Sequence, residues 1–245
     1  MSEAICLMED NGVGFWINLK NRLLINQPTA RSIICPHCQR PFTLSIWEGV
    51  NVTKKPELKA RVLSRELFKF FCNHCARSLE IGHSFLYLDA RSKLMIWLPC
   101  VEAQKPPLEE GVGVMQLMSN AGYSFRQVKS QNELIEKIRI FDDGQDDRAV
   151  EALKLSFLAE REASPTETLF YGGMLSKHGD RKMVRFVIAK ADRNIAHEVS
   201  FDDLLRETSV LWQKPTPQRK KAGWLAVDRN YAAASLLNVL NRHSL

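Results

Sequence analysis

Apolar and polar residues alternate through Phe42-Thr43-Leu44-Ser45-Ile46-Trp47, which predicts a half-buried strand with Phe42, Leu44 and Ile46 on one face. A short apolar strand, Ile33-Ile34, precedes it. The period then lengthens. Pro56 and Glu57 suit a first helical turn, and Leu58, Val62, Leu63 and Leu67 form a stripe along the helix they open. Beyond Phe68, Phe70 and Phe71 the chain reads as strands again, through Leu79, Ile81, Phe85 and Tyr87 and then Leu94 to Leu98, with a turn at residues 91–93.

Residues 99–113 interrupt the pattern with Pro99, Pro106, Pro107, Gly111 and Gly113. A strand from Tyr123 to Val128 follows. Ser130 and Glu133 have capping-box spacing ahead of a helix with Leu134, Ile135 and Ile138 on one side. A second helix carries Val150, Leu153, Phe157 and Leu158. After a boundary at Ser164-Pro165-Thr166, two strands run from Thr168 to Leu175 and from Lys182 to Lys190, around a turn at 177–180. Gly172 and Gly173 inside the first of them read as a bulge. Asp192-Arg193-Asn194 turns into a strand from Ile195 to Val199. Ser200 caps a helix with Asp202 and Asp203 in its first turn and Leu204, Leu205 and Leu211 as core. A loop from Lys214 to Gly223, a short strand from Trp224 to Val227 and a last helix from Tyr231 to Arg242, capped by Asp228, complete the chain. Residues 1–30 read either as two short strands, around Phe15 and Leu23, or as a loose extension. No internal repeat is evident.

With 45% hydrophobic and 25% charged residues, the composition is that of a globular protein. No apolar run nears the roughly 20 residues of a membrane span, so no membrane association is expected. Glu3, Glu9 and Asp10 interrupt the start, which does not resemble a secretory signal. A cytoplasmic, reducing location is therefore expected, where paired cysteines bind metal more often than each other. The net charge of +6 is uneven: residues 31–105 hold twelve Lys and Arg against six Asp and Glu, so 12 − 6 accounts for the whole excess. A basic face of this kind can draw a nucleic acid or an acidic protein partner, although no base-reading motif accompanies it.

The chemistry-bearing residues are two Cys-x-x-Cys pairs, Cys35-Pro36-His37-Cys38 and Cys72-Asn73-His74-Cys75. Each places two thiolates on one side of a turn, and two such turns supply the closed tetrahedral shell of a structural zinc site. Cys35, Cys38, Cys72 and Cys75 are the expected ligands, with His37 and His74 pointing outward. Residues 39–71 between the pairs make a 33-residue spacer, long for a compact zinc ribbon, so the helix after Pro56 reads as an insertion. The rival reading is a thiol–disulfide oxidoreductase using Cys35 and Cys38. Its first thiolate would need a helix N-terminus, whereas Pro41 and the alternation beyond it favour a strand. A further alternative is an enzyme with an active site between domains. No catalytic motif or nucleotide-binding glycine pattern supports that reading. Cys6 reads as a free thiol, Cys100 as a buried structural one, and Trp47 and Trp97 as core. The acidic run of Asp142, Asp143, Asp146 and Asp147 lacks calcium-loop spacing and reads as a helix end, with Gly144 closing one helix and Asp146 or Asp147 capping the next.

The Cys pairs, together with the segments Trp47 to Val52, Glu66 to Phe70, Lys93 to Trp97 and Ile140 to Asp147, resemble the CpXC domain family over about residues 31–160. The resemblance implies a zinc-ribbon-like domain of prokaryotic type and assigns no activity. Asn73 stands where the family pattern has Pro, a turn residue that the knuckle also accepts. The expected fold is α+β: an extension over residues 1–30, an elaborated CpXC-like zinc-ribbon domain with a helical insertion over 31–162, and a small α/β region over 163–245.

Overall fold

A computed structural model of the chain describes residues 5–6, 26–79, 81–101, 106, 112–161, 167–177, 181–189, 194–202 and 223–243. The strands expected around Phe15 and Leu23, the helix core at Leu204, Leu205 and Leu211, the loop from Lys214 and the turns at 178–180 and 190–193 lie outside the described residues. The chain is α+β, with several small sheets. Its contacts divide it into two compact units, one of residues 1–131 with 222–224 and one of residues 132–221 with 225–245.

The first unit contains β1 (Ile5–Cys6), β2 (Thr29–Ile34), β3 (Pro41–Ile46), β4 (Gly49–Asn51), β5 (Phe70–Phe71), β6 (Ser78–Leu79), β7 (Ile81–Gly82), β8 (Phe85–Asp89), β9 (Leu94–Leu98) and β10 (Ser124–Gln127). Helix α1 (Glu57–Leu63) and α2 (Val112–Asn120) belong to it as well. β2 and β3 form one antiparallel hairpin and β5 and β6 another. The alternation in β3 emerges as strict alternate burial, with Phe42, Leu44 and Ile46 inward. α1 starts at the Pro56–Glu57 step and buries Leu58 and Val62, as its stripe requires.

The principal sheet has the order β10-β9-β8-β4. β8 and β9 pair antiparallel across the turn at 90–93, while β10 and β4 join the two sides in parallel. Every residue of β9 is buried, which is why Leu94-Met95-Ile96-Trp97-Leu98 shows no polar alternation. Trp97 is wholly buried and belongs to a core with Leu86, Met95, Met115 and Phe125. Trp47 is half-buried and carries the Arg61 guanidinium over its ring at 5.6 Å. Asn26 is buried beside β4; its side-chain amide donates to the Asn51 carbonyl and its oxygen accepts from the Asn51 N–H, at 2.9 and 3.0 Å. It thus satisfies backbone groups that β4 would otherwise leave unpaired.

The second unit holds most of α3 (Gln131–Asp142), then α4 (Asp147–Glu160), β11 (Leu169–Lys177), β12 (Arg181–Ala189), β13 (Asn194–Ser200) and α5 (Arg229–His243). The strands form an antiparallel meander. Its core joins Ile140, Val150, Leu153 and Leu158 from the helices to Leu169, Tyr171, Val184, Phe186 and Ile188 from the sheet. The register slips between Tyr171 and Gly173, so the glycine pair is a β-bulge as expected. A Cβ at Gly172 would meet the Arg185 carbonyl oxygen at 3.1 Å, and Gly173 has φ +124°, a conformation open to glycine. The Asp228 side chain accepts from the Tyr231 N–H at 3.0 Å and caps α5.

Between α3 and α4 lies an ion chain. Glu136, Lys137, Asp147, Glu151 and Lys154 are each at most 8% exposed. Lys154 Nζ reaches Glu136 at 2.9 Å and Glu151 at 3.0 Å, and Lys137 Nζ reaches Glu151 at 3.0 Å and Asp147 at 3.4 Å. Among the described residues, no helix is long and apolar enough to cross a membrane.

Candidate metal centre

The two cysteine turns are near copies. In the first, the Cys35 N–H donates to the Arg40 carbonyl at 3.0 Å and the Gln39 N–H to the Cys35 carbonyl at 2.9 Å. In the second, Cys72 and Arg77 make the first bond at 3.0 Å, and Ala76 and Cys72 the second at 2.9 Å. Gln39 and Ala76 both have φ 57°. The N–H of His37 points at Cys35 Sγ and that of His74 at Cys72 Sγ, each at 3.4 Å. Each turn therefore needs a residue that tolerates the left-handed conformation just after its second cysteine, and it aims backbone dipoles at its first sulfur. The repeated pattern is Cys-x-His-Cys-x-Arg, at 35–40 and 72–77, so a short internal repeat is present after all. Aligning the two cysteine pairs and extending by two residues would have revealed it.

The hairpins β2–β3 and β5–β6 bring the turns face to face. Cys35 Sγ lies 3.8 Å from Cys75 Sγ, and Cys38 Sγ lies 3.7 Å from Cys72 Sγ. All four sulfurs fall within 4.8 Å of one another. Four sulfurs at about 2.3 Å from a tetrahedral centre would be about 3.8 Å apart, so the observed separations fit that geometry. All four cysteines are free of disulfides. Cys35 and Cys72 are buried, and the quartet is continuous with an apolar core of Phe42, Leu44, Ile46, Phe70, Leu79 and Ile81. His37 and His74 are exposed as expected, and His74 Nε2 donates to the Pro41 carbonyl at 3.1 Å, tying the second turn to the start of β3.

The thiols perturb one another. Burial raises the Cys72 thiol, but the N–H groups of Cys75 and His74 and the neighbouring thiols outweigh it and bring it down to about 6. At Cys38 the Arg40 N–H favours the thiolate. Burial and the sulfurs of Cys35, Cys72 and Cys75 push the other way and take it up to about 11. Once one thiolate is established, the last proton of a crowded quartet is hard to remove without a cation. A divalent metal would supply the missing charge, and these four sulfurs could hold one.

A model of the family described as CpXC protein matches residues 33–154. The chain belongs to the CpXC family. No curated protein and no solved structure matches it. The CpXC segment begins just before the first cysteine turn, includes both, and ends within α4.

Elsewhere in the CpXC segment, the acidic run is divided among separate structural tasks. Asp143 Oδ2 accepts from the Tyr171 hydroxyl at 2.8 Å and the Met174 N–H at 3.0 Å, which ties the end of α3 to the bulge in β11. Asp146 caps α4, accepting from the Arg148 N–H at 3.0 Å. Asp147 is wholly buried in the ion chain, and Asp142 is exposed. Gly144, at φ 67°, closes α3. Among the described residues, the cysteine quartet is the one group of three or more His, Cys, Asp or Glu side chains that converges as metal ligands do. The segment after Cys38 is β3, so Cys35 and Cys38 do not open a helix. Cys100, expected as a buried structural thiol, is half-buried and disulfide-bonded. The Cys6 side chain and His178 lie outside the described residues. His197 is half-buried against Phe157 and Arg161.

Proposed function

We propose that Cys35, Cys38, Cys72 and Cys75 hold one zinc ion as a structural centre, and that the hairpins around it form a zinc-ribbon-like platform for a partner. The observation that carries this reading is the pair of sulfur separations, 3.8 and 3.7 Å, across two turns distant in sequence. Four thiolates fill the shell and leave no position for a reactive water, so the ion would supply cohesion and not catalysis. Structural zinc in small peptides is worth roughly 10–16 kcal/mol of apparent binding energy, enough to decide whether a small hairpin pair folds.

The platform reading rests on symmetry at the surface. Each turn presents an exposed apolar residue before it (Ile34, Phe71), an exposed His within it (His37, His74) and an exposed Arg after it (Arg40, Arg77). With the basic excess of residues 31–105, this face suits an acidic partner, either nucleic acid or an acidic protein surface.

Elemental analysis of purified protein tests the metal. One zinc per chain, released together with four titratable thiols on chelation, is the expected result, and Cys38→Ser should abolish stoichiometric loading. A chain that stays fully folded with no transition metal overturns the proposal. For the platform, anisotropy of a labelled oligonucleotide is measured against salt. Arg40→Ala and Arg77→Ala should each flatten the salt dependence by about one unit of slope. Absence of binding at low salt removes the nucleic-acid form of the reading and leaves the protein one.

A further inference from the structure

The chain has six cysteines, and they divide four and two. Cys35, Cys38, Cys72 and Cys75 are free thiols in the quartet, whereas Cys100 is disulfide-bonded. The sulfur separations of 3.8 and 3.7 Å in the quartet are far beyond the roughly 2.05 Å of a disulfide, so those four are spaced for a metal and not for bonding to each other. Cys6 is the one cysteine that remains to pair with Cys100. The backbone places the two positions close together. β1 runs parallel to β7, with Ile5 opposite Ile81 and Cys6 opposite Gly82. Shortly after Gly82, Ser84 Oγ accepts from the Cys100 N–H at 3.2 Å, just beyond the end of β9. Positions 6 and 100 are thus both anchored on residues 82–84.

We propose that Cys6 and Cys100 form a reversible disulfide that clasps β1 to the end of β9, a redox-sensitive modification site separate from the cysteine quartet. β1 pairs with β7 over two residues only, too few to hold a strand by themselves. A covalent link supplies what the ladder lacks, by closing a loop from residue 6 to residue 100 that spans β1 to β9. Ile81, the partner of Ile5, is buried in the core that holds the quartet, so the clasp steadies that core from its edge. Cys100 is half-buried, which leaves it open to a small thiol. Forming the bond needs an oxidant, and a low-molecular-weight disulfide such as oxidised glutathione serves. One protein thiolate displaces a glutathione thiolate to give a mixed disulfide, and the second protein thiolate displaces the other glutathione. The protein pair loses two electrons and two protons, and two glutathione thiols form. In a strongly reducing compartment the exchange runs backwards and β1 loses its clasp.

The full chain, loaded with zinc, is equilibrated in glutathione buffers of graded ratio, alkylated, and mapped by mass spectrometry without further reduction. The expected result is a linked peptide pair containing Cys6 and Cys100 in the oxidising buffers, replaced by two alkylated cysteines in the reducing ones. Amide hydrogen exchange over residues 81–84 should quicken about tenfold or more on reduction, and the melting midpoint should fall by about 5–10 °C. Cys6→Ser and Cys100→Ser should each reproduce the reduced behaviour and remove its dependence on glutathione, and the double variant should go no further. Should one variant misfold, the other variant and the wild-type titration still decide. Absence of the linked peptide in the most oxidising buffer overturns the proposal. So does a link from Cys100 to a quartet cysteine, or exchange and melting that stay the same across the whole range.

Discussion

Replacing Lys154 with Met tests how the second unit is held together. Lys154 is 8% exposed, and its ammonium serves Glu136 at 2.9 Å and Glu151 at 3.0 Å. Methionine nearly matches the stem in volume, so the change removes charge with little cavity. Two carboxylates then lose their shared partner in a dry interior, and breaking a buried pair in this way costs about 3–5 kcal/mol. Against a total stability of about 5–15 kcal/mol, the melting midpoint should fall by roughly 10 °C or more. The assay is urea and thermal unfolding of the full chain, read by circular dichroism. The sign with pH also follows. Despite burial, attraction from Glu136 and Glu151 holds Lys154 above its ordinary value of 10.5. Its stabilisation is therefore complete below pH 10.5 and is lost as pH rises through the higher folded value, an alkaline loss that the variant should lack. Glu136 is displaced upward too, mainly by burial, so its ionised form is disfavoured in the folded chain. Glu136→Gln should accordingly cost less than Lys154→Met at neutral pH. A Lys154→Met loss under about 1 kcal/mol, or the reverse order of the two variants, would refute the view that this chain is a tightly coupled buried network.

Zinc affinity, measured by chelator competition at several pH values, should rise with pH, because loading must strip a proton from Cys38, whose thiol stands at about 11, while Cys72 at about 6 is already ionised at neutrality. Gly173→Ala should lower stability by about 1–3 kcal/mol in urea titrations, since φ +124° strains any side chain. Tyr171→Phe removes the 2.8 Å hydroxyl bond to Asp143 and should cost about 1.5–3 kcal/mol by the same measurement.

What the sequence reveals follows the range of the forces involved. The strand at Phe42 to Ile46 and the stripe of α1 are local periodicities, and both appear where the pattern places them. The cysteine turns are local too, since each is specified within six residues. α2 is not visible in the same way. Gly113 and the preceding prolines mask its start, and Met115 is its buried anchor. The pairing of β4 with β8 and of β10 with β9 joins segments far apart along the chain, and β4 is too short to show a period. The ion chain was hidden for a different reason. Glu136, Lys137, Glu151 and Lys154 look like the solvated sides of two amphipathic helices, and only tertiary packing turns those sides inward. The same packing places α3 and α4 in one unit with the C-terminal meander.

The meeting of the two hairpins at their sulfurs makes residues 39–71 a loop fastened at both ends. Once such a loop is closed, lengthening it is inexpensive: a doubling adds only about 0.6 kcal/mol of closure entropy. Outside β3, β4 and β5, which are fixed by their strand partners, the exposed turns around α1 are therefore free to lengthen or change their surface while the clasp beneath them keeps its form.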